Sequence, residues 1–561
     1  MDYVLHILIM TCLYVILATS FNLLIGFAGL FALSQAAFYA CGAYATAILT
    51  TSLGLPFPLP TLIGAVAAGG FGMITALPAL RVGGHYLVIV TLALQIILVD
   101  ILLNVKPLTG GTEGITGIAK ISLSGWTLGT PARFLPLAAA VAVLCFWVAH
   151  RIAVSPFGRA LRAMRENEEA AQALGKNIVA MKLTVFVVSA GLSAVAGSLL
   201  AHYIGYVGPN SFTVDETIYI LAMVIVGGLG NLWGSLAGAV LLVGMPELLK
   251  FVELPTASAD MVRSILYGLI LIGILRLRPQ GLIPERAIVA VPPGEAAAIA
   301  AEPMLTVTVD PGARLSAHQL FKNFGGVTAV DGLDVELSPG TITGLIGPNG
   351  AGKTTAFNLL TGFLKSSAGD VRYRGRSLNG LKPHEIVRAR IARSFQDLKL
   401  FRRMSVLENV LVALPDQRGD RLWAVLFEPR QVRLDEARNI ARAKAVLRFV
   451  KLDGKLLDRA DSLSFAEEKL LAIARLLATG AEVLLLDEPL SGLDPATVQE
   501  ILPVVRALAA EGRAICIIEH NLDIIRDLCD TAIYLDEGRV RATGTPEQLM
   551  ADAALAERYF G

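Results

Sequence analysis

The chain has 561 residues, of which 54% are hydrophobic and only 17% are charged. Soluble domains carry about a quarter charged residues, so this composition argues against a wholly soluble protein. The formal net charge of +1 gives no global field that would attract nucleic acid, and no nucleic-acid partner is expected. The length leaves room for about three or four average domains.

The N-terminal half is apolar, and residues 3–80 contain no Lys, Arg, Asp or Glu. Because about 20 apolar residues cross the hydrocarbon core as a helix, the pattern predicts about eight to ten membrane spans. Residues 218–229 are apolar but short, which suggests a half-span or a re-entrant segment. The full-length candidates are residues 3–27, 30–53, 59–80, 85–104, 134–152, 183–203, 232–252 and 261–275.

The basic residues of the N-terminal half set its predicted orientation. The loop 153–182 carries Arg159, Arg162, Arg165, Lys176 and Lys182, which is typical of a cytoplasmic loop. No Lys or Arg precedes position 81, so the first apolar segment is expected to be a membrane helix and not a cleaved signal peptide.

The pattern changes after an Ala-, Pro- and Gly-rich stretch at 284–303, which is expected to be a linker. Short apolar runs then alternate with helical stretches, which predicts an α/β domain. We therefore expect a multi-span all-α membrane domain over residues 1–283 and an α/β P-loop NTPase domain over 304–561. The predicted strands are 341–346, 482–486 and 514–518, and the predicted helices are 354–364, 467–478 and 496–510.

A phosphate-binding loop follows the first of these strands. Its residues are Gly347, Pro348, Asn349, Gly350, Ala351, Gly352, Lys353 and Thr354, with Thr355 next in the helix. Glycines allow backbone N–H groups to converge on phosphate, Lys353 is expected to reach the outer phosphates of ATP, and Thr354 to bind Mg²⁺. A second apolar strand ends in Asp487, a further Mg²⁺ ligand, and Glu488, a candidate general base.

With these motifs in place, residues 305–561 resemble the nucleotide-binding subunit of ABC transporters. The resemblance implies that Gln396 senses the γ-phosphate and the Mg²⁺ ion, and that His520 is the switch histidine. It also implies that Asp494, in the Ser-Gly-Leu-Asp loop 491–494, contacts the opposite subunit, and that Phe324 stacks on adenine.

One motif departs from the family pattern. The usual signature Leu-Ser-Gly-Gly-Gln is replaced by residues 463–467, in which Ser464 is kept but Ala466 replaces glycine and Glu467 replaces glutamine. An added methyl group and an added charge would both weaken the contact with phosphate. The alternative is that Ala466 is tolerated with little loss.

Residues 1–283 resemble the membrane subunit of branched-chain amino acid ABC importers. The resemblance rests on residues 22–26, 37–44, 80–87, 109–115 and 278–282, and on 324–330, 361–363 and 400–404 in the ATPase half. It implies a coupling loop at Glu169, Ala170 and Gly175 that docks on the ATPase. Polar residues within spans, Asn22, Gln35, Gln95 and Asp100, are candidates for function, but none is assigned to the solute.

The combined expectation is an ATP- and Mg²⁺-dependent importer subunit for branched-chain or related amino acids, in a bacterial inner membrane with its ATPase domain cytoplasmic. A second permease and a second ATPase subunit, in a heteromeric assembly, and an external solute-binding protein are the implied partners. Three alternatives stay open: another small solute such as urea, amides or carboxylates, an exporter half-transporter, and a regulatory ATPase that moves no solute.

Overall fold

The computed structural model describes residues 2–80, 84–123, 126–249, 259–285 and 312–551. By contacts the chain forms two compact units. The first comprises Met1–Arg165, Ile178–Ile288 and Val425–Phe427, and the second comprises Glu166–Asn177, Val289–Ala424 and Glu428–Gly561. Most of the expected linker at 284–303, and positions 81–83 of the motif 80–87, lie outside the described residues.

The described residues up to 277 are mainly helical. A π-helical turn, Leu23–Phe27, extends the first helix, and short strand pairs join β1 to β4 and β2 to β3. The helices are α1 Asp2–Asn22, α2 Gln35–Leu53, α3 Leu59–Ala79, α4 His85–Asn104, α5 Lys106–Thr109, α6 Pro131–Val154, α7 Pro156–Glu166, α8 Glu168–Ala173, α9 Ile178–Ile204, α10 Val214–Gly227, α11 Leu232–Leu249 and α12 Ala259–Leu277. The strands are β1 Ile115–Thr116, β2 Ser122–Leu123, β3 Trp126–Thr127 and β4 Tyr206–Val207.

Seven helices within the described ranges are long and apolar enough to cross a membrane, and two shorter apolar helices, Leu232–Glu247 and Gly268–Leu277, follow them. The prediction of a multi-span all-α region is confirmed, while the number of spans stays a prediction. The seven are Asp2–Phe27, Gln35–Leu53, Leu59–Pro78, Tyr86–Asn104, Pro131–Val154, Ile178–Ile204 and Pro209–Gly227.

The expected short segment at 218–229 lies mostly within α10, Val214–Gly227, and the half-span interpretation stays a prediction. Together with the preceding 3-10 turn Pro209–Phe212, α10 forms a helical segment of 19 residues, Pro209–Gly227. Thr217 is fully buried and donates a hydrogen bond from Oγ1 to Gln95 Oε1 at 2.9 Å. A hydropathy pattern ends a predicted segment at such polar residues, although they belong to the helix.

Glycines bring the membrane helices into backbone contact. A Cβ atom at Gly42 of α2 would lie 2.1 Å from the carbonyl oxygen of Ala194 in α9. A Cβ atom at Gly197 would lie 2.1 Å from the carbonyl oxygen of Tyr39. Lipid gives no hydrophobic drive between helices, so close packing at small residues holds such bundles together.

Buried polar side chains link the same helices. Gln35 donates from Nε2 to the hydroxyls of Ser20 at 2.8 Å and Ser193 at 2.5 Å. Asn22 donates from Nδ2 to the Ser235 hydroxyl at 2.6 Å. Gln35, Asn22 and Gln95 are therefore satisfied within the protein, as the hydrocarbon region requires. Asp100 differs from them, because it is exposed near the end of α4.

The second unit contains two sheets. The larger has the strand order β10-β11-β12-β7-β13-β14, with parallel neighbours except for the antiparallel pair β13–β14. The smaller is antiparallel, with the order β6-β5-β8-β9. The strands are β5 Leu315–Phe324, β6 Val327–Leu337, β7 Ile342–Ile346, β8 Ala368–Tyr373, β9 Arg376–Ser377, β10 Ile391–Arg393, β11 Val483–Asp487, β12 Ala514–Ile518, β13 Thr531–Asp536 and β14 Arg539–Gly544.

Helices follow the strands of the larger sheet, and the α/β prediction is confirmed. The expected helix 354–364 is shorter, because Gly362 adopts a φ of +71° just after α13 ends. The helices are α13 Lys353–Leu360, α14 Pro383–Arg388, α15 Val406–Ala413, α16 Leu422–Phe427, α17 Pro429–Phe449, α18 Phe465–Ala478, α19 Pro495–Ala510, α20 Leu522–Leu528 and α21 Pro546–Ala551.

The close contact at Gly42 gives a stability prediction. Gly42→Ala should destabilise the membrane unit by about 1–3 kcal/mol, because the new methyl group meets the backbone of α9. Thermal melting of the purified protein in detergent measures the loss. Gly70→Ala in α3 is the matched control, because its added Cβ would meet no atom within 4 Å. Equal melting temperatures for the two variants would contradict the packing argument.

Candidate functional site

The phosphate-binding loop lies between the carboxyl end of β7 and the start of α13. Gly347 has a φ of +150°, and a Cβ atom there would lie 2.0 Å from the carbonyl oxygen of Leu535, so only glycine fits. Lys353 is the first residue of α13, and its ammonium group donates to the carbonyl oxygens of Gly347 at 2.6 Å and Pro348 at 2.9 Å. Burial lowers the pKa of Lys353, and the nearby Glu488 and Asp487 oppose that shift.

The rest of the loop is open to solvent. Asn349, Gly350 and Thr354 are exposed, whereas Ala351 is buried. Gly352 has a φ of +100°, and a Cβ atom there would lie 2.3 Å from the carbonyl oxygen of Ala329. The loop therefore has a fixed backbone and an accessible outer face, and both are needed for binding phosphate through N–H groups.

Asp487 ends the buried strand β11. Its backbone N–H donates to the Ser394 hydroxyl at 2.8 Å, and its carboxylate Oδ2 lies 3.5 Å from Arg393 Nη2. Burial raises the pKa of Asp487, and the positive charge of Arg393 opposes that shift. Oδ2 is buried and has no hydrogen-bond partner.

Glu488 brings the predicted catalytic residues together. Its Oε1 atom accepts a hydrogen bond from Gln396 Nε2 at 3.1 Å and lies 3.0 Å from His520 Nε2. The backbone of Glu488 has a φ of +48°, and its N–H donates to the carbonyl oxygen of Ile518 at 2.9 Å. This uncommon backbone conformation turns the side chain out of the strand, toward Gln396 and His520.

The arrangement suits a magnesium ion. Asp487 Oδ2 is a buried carboxylate oxygen that lacks a partner, and Thr354 and Gln396 line the same cavity as Asp487. Mg²⁺ is usually held by one or two carboxylates, substrate phosphates and water, so one carboxylate suffices. Within the described ranges no cluster of three or more His, Cys, Asp or Glu forms a fuller metal site.

Four residues around the site were missed by the sequence analysis. Arg393 donates a hydrogen bond to Asn358 and packs its guanidinium 4.7 Å from the centre of the Phe395 ring. Lys469 donates to the carbonyl oxygen of Glu488 at 2.7 Å, and Glu519 accepts from the Leu490 N–H at 2.8 Å.

Asp487 and Glu488 are thus contacted directly by Ser394, Arg393 and Lys469, and Glu519 fixes Leu490, two residues further along the chain. The only sequence signal was their position within one to three residues of a motif or at the start of a helix.

Phe324 lies at the end of β5 and is 48% exposed. Lys322 places its ammonium group 5.0 Å from the centre of the Phe324 ring. An exposed aromatic ring is free to stack on a base, whereas a core phenylalanine is not. The stacking role of Phe324 stays a prediction.

The altered signature begins a helix. Ser464 is the N-cap of α18, and its hydroxyl accepts from the Glu467 N–H at 3.4 Å. The Glu467 carboxylate in turn accepts from the Ser464 backbone N–H at 3.0 Å and from Lys455 Nζ at 2.9 Å. The hydrogen bond from Lys455 lowers the pKa of Glu467, so this carboxyl group is ionised at neutral pH.

The predicted subunit-contact loop lies beside the signature. Asp494 is the N-cap of α19 and accepts from the N–H groups of Ala496 and Thr497, both at 3.1 Å. A Cβ atom at Gly492 would lie 3.2 Å from the Phe465 ring. Ser464, Phe465, Gly492 and Asp494 are all exposed, so this surface is accessible to another molecule.

The predicted coupling loop packs within the second unit. Asn167 caps α8, and Ala170 and Ala171 are buried. Glu169 forms an ion pair with Lys399, and Lys176 forms one with Asp420 at 2.6 Å.

Gly175, with a φ of +83°, continues this packing, because a Cβ atom there would meet Val387 at 3.5 Å. Glu169 lines the same cavity as Thr354, Gln396 and Asp487.

The fold and the loop geometry define an ATP-binding cassette joined to a multi-pass membrane protein. Residues 330–491 match the ABC transporter family, and residues 3–275 match the family described as branched-chain amino acid transport system / permease component. The chain belongs to the ABC transporter family and joins a permease component of the branched-chain amino acid class to an ATPase, which implies ATP hydrolysis in transport.

Relatives match each half separately. The high-affinity branched-chain amino acid transport ATP-binding protein LivG of Escherichia coli K12 is 36% identical over 248 residues, which are 44% of this chain and 97% of LivG. The branched-chain amino acid transport system permease protein LivM of Salmonella typhimurium is 35% identical over 302 residues, which are 49% of this chain and 68% of LivM. By their names, one relative is an ATP-binding protein and the other a permease protein of a transport system.

A crystal structure of a nucleotide-free ATP-binding cassette from an ABC transporter is 31% identical and covers 44% of this chain and 99% of that chain. Its TM-score is 0.40, so the fold rests on the strand order and loop geometry described above.

Glu519 gives a pH prediction. Burial raises the pKa of this carboxyl group to about 7, so the folded state binds the proton more tightly than the unfolded chain does. Stability contributed by protonated Glu519 is present below the ordinary pKa near 4.5 and is lost as the pH rises through 7. From pH 5 to pH 8 the free energy of unfolding should fall by about 2–3 kcal/mol through this group.

Urea unfolding of the ATP-protected transition at the two pH values measures this fall. Glu519→Gln should remove that part of the pH dependence, whereas Glu500→Gln, at an exposed position of α19, should leave it unchanged. An unaltered pH dependence in the Glu519 variant would refute the assignment.

Proposed function

We propose that this chain is one permease-plus-ATPase half of an ATP-driven importer for branched-chain or related amino acids. Residues 1–283 form the permease domain, 284–303 the linker and 304–561 the ATPase domain. The protein lies in a bacterial inner membrane, with the loop 153–182 and the ATPase domain in the cytoplasm. The observation that carries the proposal is that the coupling-loop residue Glu169 lines one cavity with Thr354, Gln396 and Asp487.

In this proposal the phosphate loop binds ATP through its N–H groups. Lys353 exchanges its contacts with the Gly347 and Pro348 carbonyls for the outer phosphates, since it needs to move only its flexible side chain. Asp487, Thr354 and Gln396 would hold the Mg²⁺ ion, which supplies charge neutralisation for the transferring phosphoryl group. Phe324 stacks on the adenine ring, and Thr355 continues the phosphate-binding helix N-terminus.

Glu488 is the general base that orients and deprotonates the attacking water. Gln396 and His520 fix its carboxylate from two sides, within 3.1 Å and 3.0 Å of one oxygen, so it needs little reorganisation in the transition state. His520 contacts the γ-phosphate of the bound ATP. Gln396 lies between the γ-phosphate site and the coupling loop. Movement of Glu169, Ala170 and Gly175 with the permease would thereby change the position of the base.

A complete transporter of this kind has two permease and two ATPase parts, and this chain supplies one of each. The external solute-binding protein delivers the substrate and sets the specificity. Names of the relatives favour branched-chain amino acids as the solute.

Reconstituted vesicles test the function directly. The vesicles contain the assembled transporter and ATP, together with the solute-binding protein. Leucine uptake should then depend on Lys353, because no other side chain replaces its charge at the phosphates. Lys353→Ala should reduce uptake at least about a hundredfold. Arg438→Ala, an exposed cation on α17, should not. Uptake that survives Lys353→Ala would exclude ATP-driven transport, and efflux in place of uptake would exclude the importer direction.

The signature gives a second prediction about the assembly. When two ATPase parts close over ATP, this chain's signature would face the partner's phosphate loop. The ionised Glu467 and the Ala466 methyl group would then oppose phosphate there, whereas this chain's own phosphate loop would face an intact signature. Glu488→Gln should therefore abolish most ATP hydrolysis, and the equivalent change in the partner should cost much less.

A restored signature provides the control. With Ala466→Gly and Glu467→Gln in this chain, the two Glu→Gln changes should become similar in effect, because both sites are then competent. Equal losses in the unrestored assembly would contradict the asymmetry.

A further inference from the structure

Glu216 is an acidic side chain within a segment that is apolar enough to cross a membrane. It lies in the first turn of α10, inside the helical segment Pro209–Gly227. Its side chain is partly exposed. A carboxylate in a span is costly in hydrocarbon, so it usually faces the interior of the bundle or a water-filled path and has a function there. Glu216 is therefore a candidate for contact with the solute.

Tyrosines from three helices surround this carboxylate. Glu216 interacts with Tyr14 of α1, which is its side-chain hydrogen-bonding partner, and with Tyr39 of α2. Tyr219, one turn further along α10, packs edge-on against Tyr14, with ring centres 5.3 Å apart. Within the described residues no Lys, Arg or His forms an ion pair with Glu216. The protein thus places an acidic group among aromatic rings without supplying a cation for it.

The aromatic cluster continues to a hydroxyl group that is not satisfied. The Phe212 ring centre lies 5.1 Å from that of Tyr39 and 6.1 Å from that of Tyr44. Tyr44 is only 3% exposed, and its hydroxyl has no hydrogen-bond partner among the described residues. Leaving a buried hydroxyl unpaired costs free energy. A polar group of a bound solute would satisfy it, which is a second indication of a ligand beside the cluster.

The residue after Glu216 fixes the position of the carboxylate. Thr217 is fully buried, and its hydroxyl donates to Gln95 of α4 at 2.9 Å and accepts from the Ala36 N–H of α2 at 3.0 Å. The start of α10 is therefore held against two other helices. A binding group that is held in this way needs little reorganisation when a ligand arrives.

A purely structural role explains less of this arrangement. A carboxylate in the first turn of a helix interacts favourably with the helix dipole. The exposed Asp215 is in the same turn and provides that interaction at the surface. Neither the aromatic surroundings of Glu216 nor the unpaired hydroxyl of Tyr44 is needed for it. Both features are expected, however, where a cationic group binds, because carboxylates pair with cations and aromatic rings attract them.

We propose that Glu216 binds the α-ammonium group of an amino acid on its way through the permease. The carboxylate forms the ion pair, Tyr14 holds it in place, and the ring of Tyr39 adds attraction for the cation. This inference rests on the proposed function, since it takes the solute to be an amino acid. It names the part of the solute that the permease recognises, and it disfavours urea and simple carboxylates, which carry no ammonium group.

Weak binding to the full assembly tests the proposal. Saturation-transfer NMR on the assembly in nanodiscs, without the solute-binding protein, compares leucine with 4-methylpentanoate, which has the same carbon skeleton but no ammonium group. The unaltered assembly should bind leucine more tightly. Glu216→Gln keeps the shape of the side chain and removes its charge, so it should weaken leucine binding at least about tenfold and should not weaken binding of 4-methylpentanoate. Asp215→Asn, at the adjacent exposed carboxylate, is the matched control and should change neither.

A second variant separates recognition from folding. Tyr14→Phe removes the hydrogen bond between α1 and α10 but leaves the charge of Glu216, so leucine should still bind more tightly than 4-methylpentanoate. If Tyr14→Phe abolished this preference as fully as Glu216→Gln, the role of Glu216 would be structural and the proposal would be overturned. So it would be if Glu216→Gln weakened the binding of both compounds equally.

Uptake of leucine by the unaltered assembly, with ATP and the solute-binding protein, tests the proposed function separately. If leucine is taken up and Glu216→Gln binds it as tightly as before, the ammonium site is wrong while the importer function stands. If the unaltered assembly neither takes up nor binds leucine, the proposed function itself is wrong.

Discussion

The turn of the chain at Glu488 is the constraint on which the nucleotide site depends. The five residues of β11 are all buried, so the strand fixes Asp487 in the interior. The next residue leaves the strand with a positive φ, and its carboxylate meets Gln396 and His520. Three chain segments distant in sequence therefore converge on one carboxylate oxygen.

A set of charged side chains supports this turn. Lys469 of α18 bonds the Glu488 carbonyl, and Glu519 bonds the N–H of Leu490. Arg393 stands beside Asp487 and stacks on Phe395, whose ring lies 4.4 Å from Lys399 Nζ. Lys399 in turn pairs with Glu169 of the predicted coupling loop. A continuous line of contacts within the second unit thus connects α8 with the residue proposed to bind Mg²⁺.

The membrane helices are also held together by close contacts and hydrogen bonds between segments distant in sequence. Lipid neither drives helices together nor hydrates polar groups, so the bundle relies on backbone contact and internal hydrogen bonds. Gly42 and Gly197 supply the first, and Gln35 with Ser20 and Ser193 supplies the second. Such polar residues hold helices in place, which is why polarity within a span does not by itself identify a solute site.

The sequence by itself determined the two-part architecture and predicted which residues form the nucleotide site, because a charge-free stretch and a Gly-rich loop between strand and helix are local patterns. It did not find Arg393, Lys469 or Glu519, whose importance arises from contacts with residues far away in the chain. It also began the apolar segment at residue 218, inside α10, since hydropathy does not register that Thr217 bonds Gln95.

Only the tertiary structure decided that Glu467 turns back to Ser464 and Lys455. The physical reason is that charge, burial and exposure belong to a side chain in its surroundings, not to the residue type.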